Sequence, residues 1–222
     1  AKKAADEADR CWRKYVPTGE SDYLARKGVK AYGLRFSPSG NGTVAVPMLR
    51  DGRVVGLQII RGKDRGNKLE KQYWPAGMDK VGAYHLIGGI PRGLVLVAEG
   101  YATAATLHES TGLPVAVAFD AGSLMPVVAD LAQKYRTSKI LICADDDYLT
   151  PGNPGCEAAR LAATAHGAAW CSPKFSEERS TTKKGPTDYN DLANLEGPHV
   201  VANQITAHLE SLGWKLPRAR EL

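Results

Sequence analysis

The chain has 222 residues, 43% of them hydrophobic and 24% charged, which is enough to bury a sizeable core as one domain or two small ones. No apolar run approaches the length of a bilayer span and no signal-peptide pattern is present, so neither a membrane protein nor a secreted one is expected. A net charge of +5 favours an anionic partner such as nucleic acid, though only weakly.

The chain opens Ala1-Lys2-Lys3 without a methionine, as a piece of a longer protein would. Residues 1–16 read as a helix with Trp12 and Tyr15 as apolar anchors, ended by Pro17 and Gly19. Ser21 is placed to cap a short helix that Gly28 closes. From Thr43 the texture becomes strand-like: 43–49, an Asp51-Gly52 turn, then 54–60, a hairpin fixed by its turn residues. A basic loop with Arg61, Lys63, Arg65 and Lys68 follows, open equally to solvent and to nucleic acid. After Lys71-Gln72-Tyr73-Trp74-Pro75 comes a short strand at 83–87, and Gly88-Gly89 with Pro91 mark a subdomain boundary.

The second half alternates strand 94–98, helix 102–110, strand 114–118, helix 123–134 and strand 139–144. Its apolar runs are short, unbroken and rich in β-branched residues, as in strands buried on both faces of a parallel sheet. A helix at 156–166, a strand at 168–171, a polar stretch at 176–187, a short helix from Asp188 and an amphipathic helix at 198–212 complete it. The expected fold is α/β, a βαβ parallel sheet preceded by a smaller α+β strand-rich subdomain. The expected division is 1–90, 91–197 and a terminal helix and tail over 198–222. The four cysteines, Cys11, Cys143, Cys156 and Cys171, have no pair at zinc-ribbon spacing, which points to reduced thiols in the cytosol.

Ligand chemistry in such sheets gathers at the carboxyl ends of the strands. There, one run ends on Glu99-Gly100 and another on Asp145-Asp146-Asp147. Carboxylates converging on one edge repel one another unless a cation neutralises them, and hard oxygen donors suit Mg²⁺ or Mn²⁺. Alternation along an extended segment puts Asp145 and Asp147 on one side, the expected metal pair, and Asp146 on the other. Tyr73 and Trp74 have the shape to stack on a base, but core packing is the stronger expectation. His85 and His108 are expected to serve packing or a solvent-facing helix rather than to ligate metal, and Gly155 a helix start.

A strand ending Glu-Gly followed by one ending Asp-x-Asp resembles the Toprim domain, which bacterial-type primases, type IA and type II topoisomerases and some nucleases share. The segment Val46-Pro47-Met48-Leu49-Arg50-Asp51-Gly52-Arg53-Val54-Val55-Gly56 is similar to the one that precedes the Toprim domain in bacterial primases. Lys71-Gln72-Tyr73 with Lys80 and Tyr84, and the late acidic run Asp188-Tyr189-Asn190-Asp191, extend the likeness over roughly residues 20–195, towards the primases of conjugative plasmids and phages. The chain departs from that pattern at Thr103, where the family often has an acid, at Asn190, and in an insertion over 148–153. It has neither the zinc module nor a helicase motif.

The resemblance implies a primase catalytic core making short RNA on single-stranded DNA from ribonucleoside triphosphates with Mg²⁺ or Mn²⁺. It implies Glu99, Asp145 and Asp147 as catalytic metal ligands together with Asp188. It also implies nucleotide or template contacts from Arg50, Lys71, Lys80, Gly100, Asp146, Asn190 and Asp191. A replicative helicase is the implied partner, and the cytoplasm of a plasmid- or phage-bearing bacterium the implied setting. Tyr101 is set aside as a nucleophile, because the topoisomerase tyrosine lies outside the Toprim domain. Two rivals remain: a Toprim nuclease using the same ions to activate water, and a non-catalytic nucleic-acid-binding module of a replication protein.

Overall fold

The computed structural model describes residues 1–62, 71–180, 182 and 185–215. The chain divides into two compact units, Ala1–His85 and Leu86–Leu222. The first is an antiparallel sheet backed by a helix. Its strands β1 (Arg35–Phe36), β2 (Val44–Arg50), β3 (Arg53–Ile60) and β4 (Lys71–Trp74) lie in sequence order. Asp51 and Gly52 both have positive φ (50° and 73°), the backbone a two-residue type I′ hairpin requires, so the turn forms as its residues predict. Helix α1 (Lys2–Lys14) buries Ala8 against Ala45, Leu57 and Ile59, with Cys11, Trp12 and Trp74 packed around them. Trp74 is thus a core residue, as expected. Helix α2 (Asp22–Lys27) ends at Gly28 in the left-handed region, but the hydroxyl of Ser21 makes no capping hydrogen bond.

The second unit is built on a five-stranded sheet. Strands β5 (His85–Ile87), β6 (Leu94–Ala98), β7 (Val115–Val117), β8 (Lys139–Cys143) and β9 (Ala169–Cys171) have the spatial order β5-β7-β6-β8-β9. The pairs β6–β7, β6–β8 and β8–β9 are parallel. Every residue of β6 is buried, which requires cover on both faces of the sheet. Two helix groups supply it: α4 (Ala121–Lys134) packs with α5 (Pro154–His166), and α3 (Tyr101–Thr111) with α6 (Tyr189–Glu196) and α7 (Pro198–Ser211). Helix α7 therefore belongs to this unit and not to a separate tail. Of the strand expected at 83–87, Tyr84 bridges Leu49 of the first sheet while His85–Ile87 run in the second, so the division falls ahead of the Gly88–Pro91 run. Strand propensity is local, whereas the choice of sheet is a tertiary decision. Among the described residues no helix is long and apolar enough to cross a membrane.

Candidate active site

Parallel register brings three chain turns to one edge of the second sheet. Ala98 lies opposite Val117 on one side and Cys143 on the other, so Glu99, Asp145 and Asp120 follow one, two and three residues beyond their strand ends. Burial, the largest cause, and then the charges of Asp147, Asp120 and Asp188 push the Glu99 carboxyl up to about 7, against the pull of a hydrogen bond from the Asp145 backbone. Two of the other three predicted metal ligands, Asp147 and Asp188, thus act electrostatically on Glu99, and the third, Asp145, touches it through its main chain.

Glu99 Oε1 is buried with no hydrogen-bond partner. Against it lies Gly155 in the first turn of α5: a Cβ there would overlap the Asp145 carbonyl oxygen and lie 3.1 Å from Glu99 Oε1. Gly155 therefore does more than start a helix, since no other residue lets α5 approach both acidic strand ends. Among the described residues no three Asp, Glu, His or Cys side chains are drawn together into a ready-made metal cage. A buried, unsatisfied carboxylate oxygen held among like charges fits a hard divalent cation drawing these ligands inward.

Asp120 was not singled out from the sequence. It caps α4, its Oδ1 accepting from Ser123 N at 2.9 Å and Ser123 Oγ at 2.8 Å, and it follows Phe119, which has a positive φ of 78°. The strand-end rule that selected Glu99 and Asp145 applies equally to the run ending at Ala118, and would have found it. Gly100 is the residue before α3, in extended conformation with φ −98°, and Thr103 beyond it is buried.

The late acidic motif is a helix start. Asp188 Oδ1 accepts from Asp191 N at 2.8 Å while Asp191 Oδ2 accepts from Thr187 N at 3.0 Å, a reciprocal cap for α6. Asn190 is buried, its Nδ2 donating to Thr106 Oγ1 of α3 at 2.9 Å, so it ties two helices together. Asp146 is engaged by Asn153 Nδ2 at 2.6 Å on one carboxylate oxygen and by Arg179 on the other.

The basic candidates lie in the first unit. Arg50 grips the 79–81 loop, donating to Asp79 Oδ2 at 2.9 Å and to the carbonyls of Asp79 and Val81. Lys80 lies 4.6 Å over the Tyr73 ring and Lys71 5.6 Å over that of Tyr23. Arg61 donates to Gln72, whereas Lys63, Arg65 and Lys68 lie outside the described residues. His85 and His108 bond the carbonyls of Tyr32 and Leu113, both at 2.7 Å, in the packing roles expected of them. Tyr101 is fully buried.

Residues 94–199 match the family model described as the Toprim domain. Two Escherichia coli proteins, each named DNA primase TraC, are 32% identical to the chain over 168 and 171 residues, or 72% of it. The chain spans only 11% and 16% of their lengths. Among solved structures, the DnaG primase catalytic domain bound to ssDNA superposes with a TM-score of 0.59 at 15% identity, covering 95% of this chain and 78% of that one. Residues 94–199 thus match the Toprim domain, and the chain shares the fold of the DnaG catalytic domain on which it superposes.

Proposed function

We propose that this chain is a primase catalytic core, joining ribonucleotides into short RNA on a single-stranded DNA template. The observation that carries this is Glu99, a partly buried strand-end acid with one buried, unsatisfied oxygen among like charges, inside the stretch that matches the Toprim domain. The likeness to TraC primases and to a DnaG domain bound to ssDNA supports the substrate class.

Glu99, Asp145 and Asp147, joined by Asp188, would hold Mg²⁺ or Mn²⁺, with Asp120 near enough to add to the field at Glu99. Such ions, when bound, lower the pKa of an attacking 3′-hydroxyl and offset charge on a leaving pyrophosphate. The primer 3′-oxygen attacks the α-phosphorus, the bond to pyrophosphate breaks, and the hydroxyl proton passes to solvent. No enzyme nucleophile enters this balance. Gly100 leaves the start of α3 open to a phosphate, while Arg50, Lys71 and Lys80 supply positive charge for triphosphate or template. Asp146, Asn190 and Asp191 stay proposed nucleotide contacts, each also bracing the site through the hydrogen bonds it makes within the chain. A replicative helicase remains the proposed partner, and the bacterial cytoplasm the proposed setting.

The test is incorporation of labelled ribonucleotides on single-stranded DNA with Mg²⁺ or Mn²⁺, run beside Asp145→Asn/Asp147→Asn. The double variant should fold normally and lose synthesis by roughly a thousandfold or more, since it removes electrostatic stabilisation of the reaction's charge. Retained synthesis would remove these two residues from the site. Template cleavage without added nucleotides would instead establish the nuclease.

A further inference from the structure

The middle acid of the triplet is surrounded by contacts that metal binding does not require. Asp146 Oδ1 accepts from Asn153 Nδ2 at 2.6 Å, and Asp146 N donates to Thr187 O at 2.8 Å. Its Oδ2 accepts from Arg179 Nη2, in an ion pair whose side chains are only 21% and 15% exposed. The Arg179 guanidinium is held on further sides: Nη1 donates to Pro186 O at 3.2 Å, and the rings of Tyr148 and Phe175 lie 4.0 and 5.0 Å from it. Tyr148 in turn donates its hydroxyl to Ser180 O at 2.9 Å.

These contacts join two stretches far apart in sequence. One is the loop over 148–153, which follows the acidic triplet. The other is the polar stretch that leads into Asp188. Pro186 and Thr187, both gripped here, directly precede Asp188, and Thr187 N is also held by Asp191. We infer that Arg179 and Asp146 form a clasp that sets the position of Asp188 relative to Asp145 and Asp147, making Arg179 a positioning residue for the ion site. The inference rests on the metal-dependent reading above. Guanidinium suits this task because its planar fork bonds a carboxylate and a carbonyl together while its faces stack on aromatic rings.

The experiment is Mn²⁺ binding to the full chain by calorimetry, with thermal melting alongside, for wild type, Arg179→Gln, Arg179→Lys and the double variant Arg179→Gln/Asp146→Asn. The sign is diagnostic. If Arg179 acted only through its charge, its removal would tighten cation binding, whereas loss of a positioning contact weakens it. Residues that hold metal ligands in place are worth roughly 10- to 100-fold in affinity, so Arg179→Gln should bind Mn²⁺ at least about tenfold more weakly. Arg179→Lys keeps the charge but not the fork, and should recover only part of the loss. The double variant should be little worse than Arg179→Gln, because the two residues act as one unit. Should Arg179→Gln melt too low to be titrated, Arg179→Lys carries the test. Unchanged or tighter Mn²⁺ binding in a folded Arg179 variant overturns the clasp. If wild type binds no Mn²⁺, the metal reading itself falls and takes the clasp with it.

Discussion

The two units handle charge in opposite ways. In the first, each described basic candidate lies on a partner: Arg50 on Asp79, Lys80 on Tyr73, Lys71 on Tyr23. In the second, Glu99 is driven upward by burial and by three neighbouring acids. A cationic side chain braced by neutral rings or a single acid is ordered before any ligand arrives, so an anion meets fixed charge. A carboxylate crowded by its own kind is the reverse case. Its unsatisfied oxygen and like-charge neighbours favour any divalent cation that enters. On the proposed function, the first unit would receive substrate charge and the second would be completed by an ion.

The strongest way to break that contrast is to neutralise the acidic edge. Asp145→Asn/Asp147→Asn should abolish synthesis without lowering the melting temperature, and it should raise it if like-charge repulsion dominates the empty site. A fall of several degrees would mean these acids hold the fold, contrary to the comparison. Gly155→Ala comes next. The added methyl would overlap the Asp145 carbonyl oxygen, so α5 must shift. We expect a loss of about 3 kcal/mol, as for overpacking against backbone, read as a lower denaturation midpoint with an unchanged denaturant slope. Gly152→Ala serves as control, since a methyl there meets nothing within 4 Å and only the positive φ of 79° opposes it. Equal losses at the two glycines would show that α5 does not press on the acidic strand ends.

How much of this was legible in the sequence follows from the range of the interactions. The hairpin at Asp51-Gly52 was legible because a type I′ turn is decided by two adjacent residues. The buried strands were legible because an unbroken apolar run implies cover on both faces. What sequence left open was pairing at a distance. It gave no sign that the strand at His85–Ile87 joins the second sheet, because the same residues satisfy either edge. Arg179 was invisible for a similar reason: its partners Asp146 and Tyr148 lie 33 and 31 positions away. Asp120 is legible by the same strand-end rule as Glu99 and Asp145, two residues past the apolar run that ends at Ala118. Asn190 reads as part of an acidic motif, yet its burial against Thr106 is a tertiary fact.

A smaller effect comes from His85, buried at the start of β5, where loss of hydration holds its pKa down at about 4 against an ordinary 6.5. Between those values the unfolded chain binds a proton that the native chain refuses, so stability falls as pH is lowered through 6.5 and levels off below 4. The loss should reach about 2 kcal/mol by pH 5. His85→Gln should flatten that part of the stability profile. An unchanged profile in the variant would place the acid sensitivity elsewhere.

The smallest expected effect on stability is the one that best sharpens the contrast. Arg50 makes three hydrogen bonds to the 79–81 loop, but its partner Asp79 is largely exposed and the pair is screened by solvent. Arg50→Gln should therefore cost about 1 kcal/mol or less. Its kinetic consequence separates two roles. If the guanidinium is held ready for a triphosphate or template, Arg50→Gln raises KM for that ligand with little change in kcat, whereas Asp79→Asn, which loosens the loop but keeps the cation, does not. If both variants raise KM alike, Arg50 works only by bracing the loop, and the first unit owes its affinity for anions to Lys71 and Lys80 instead.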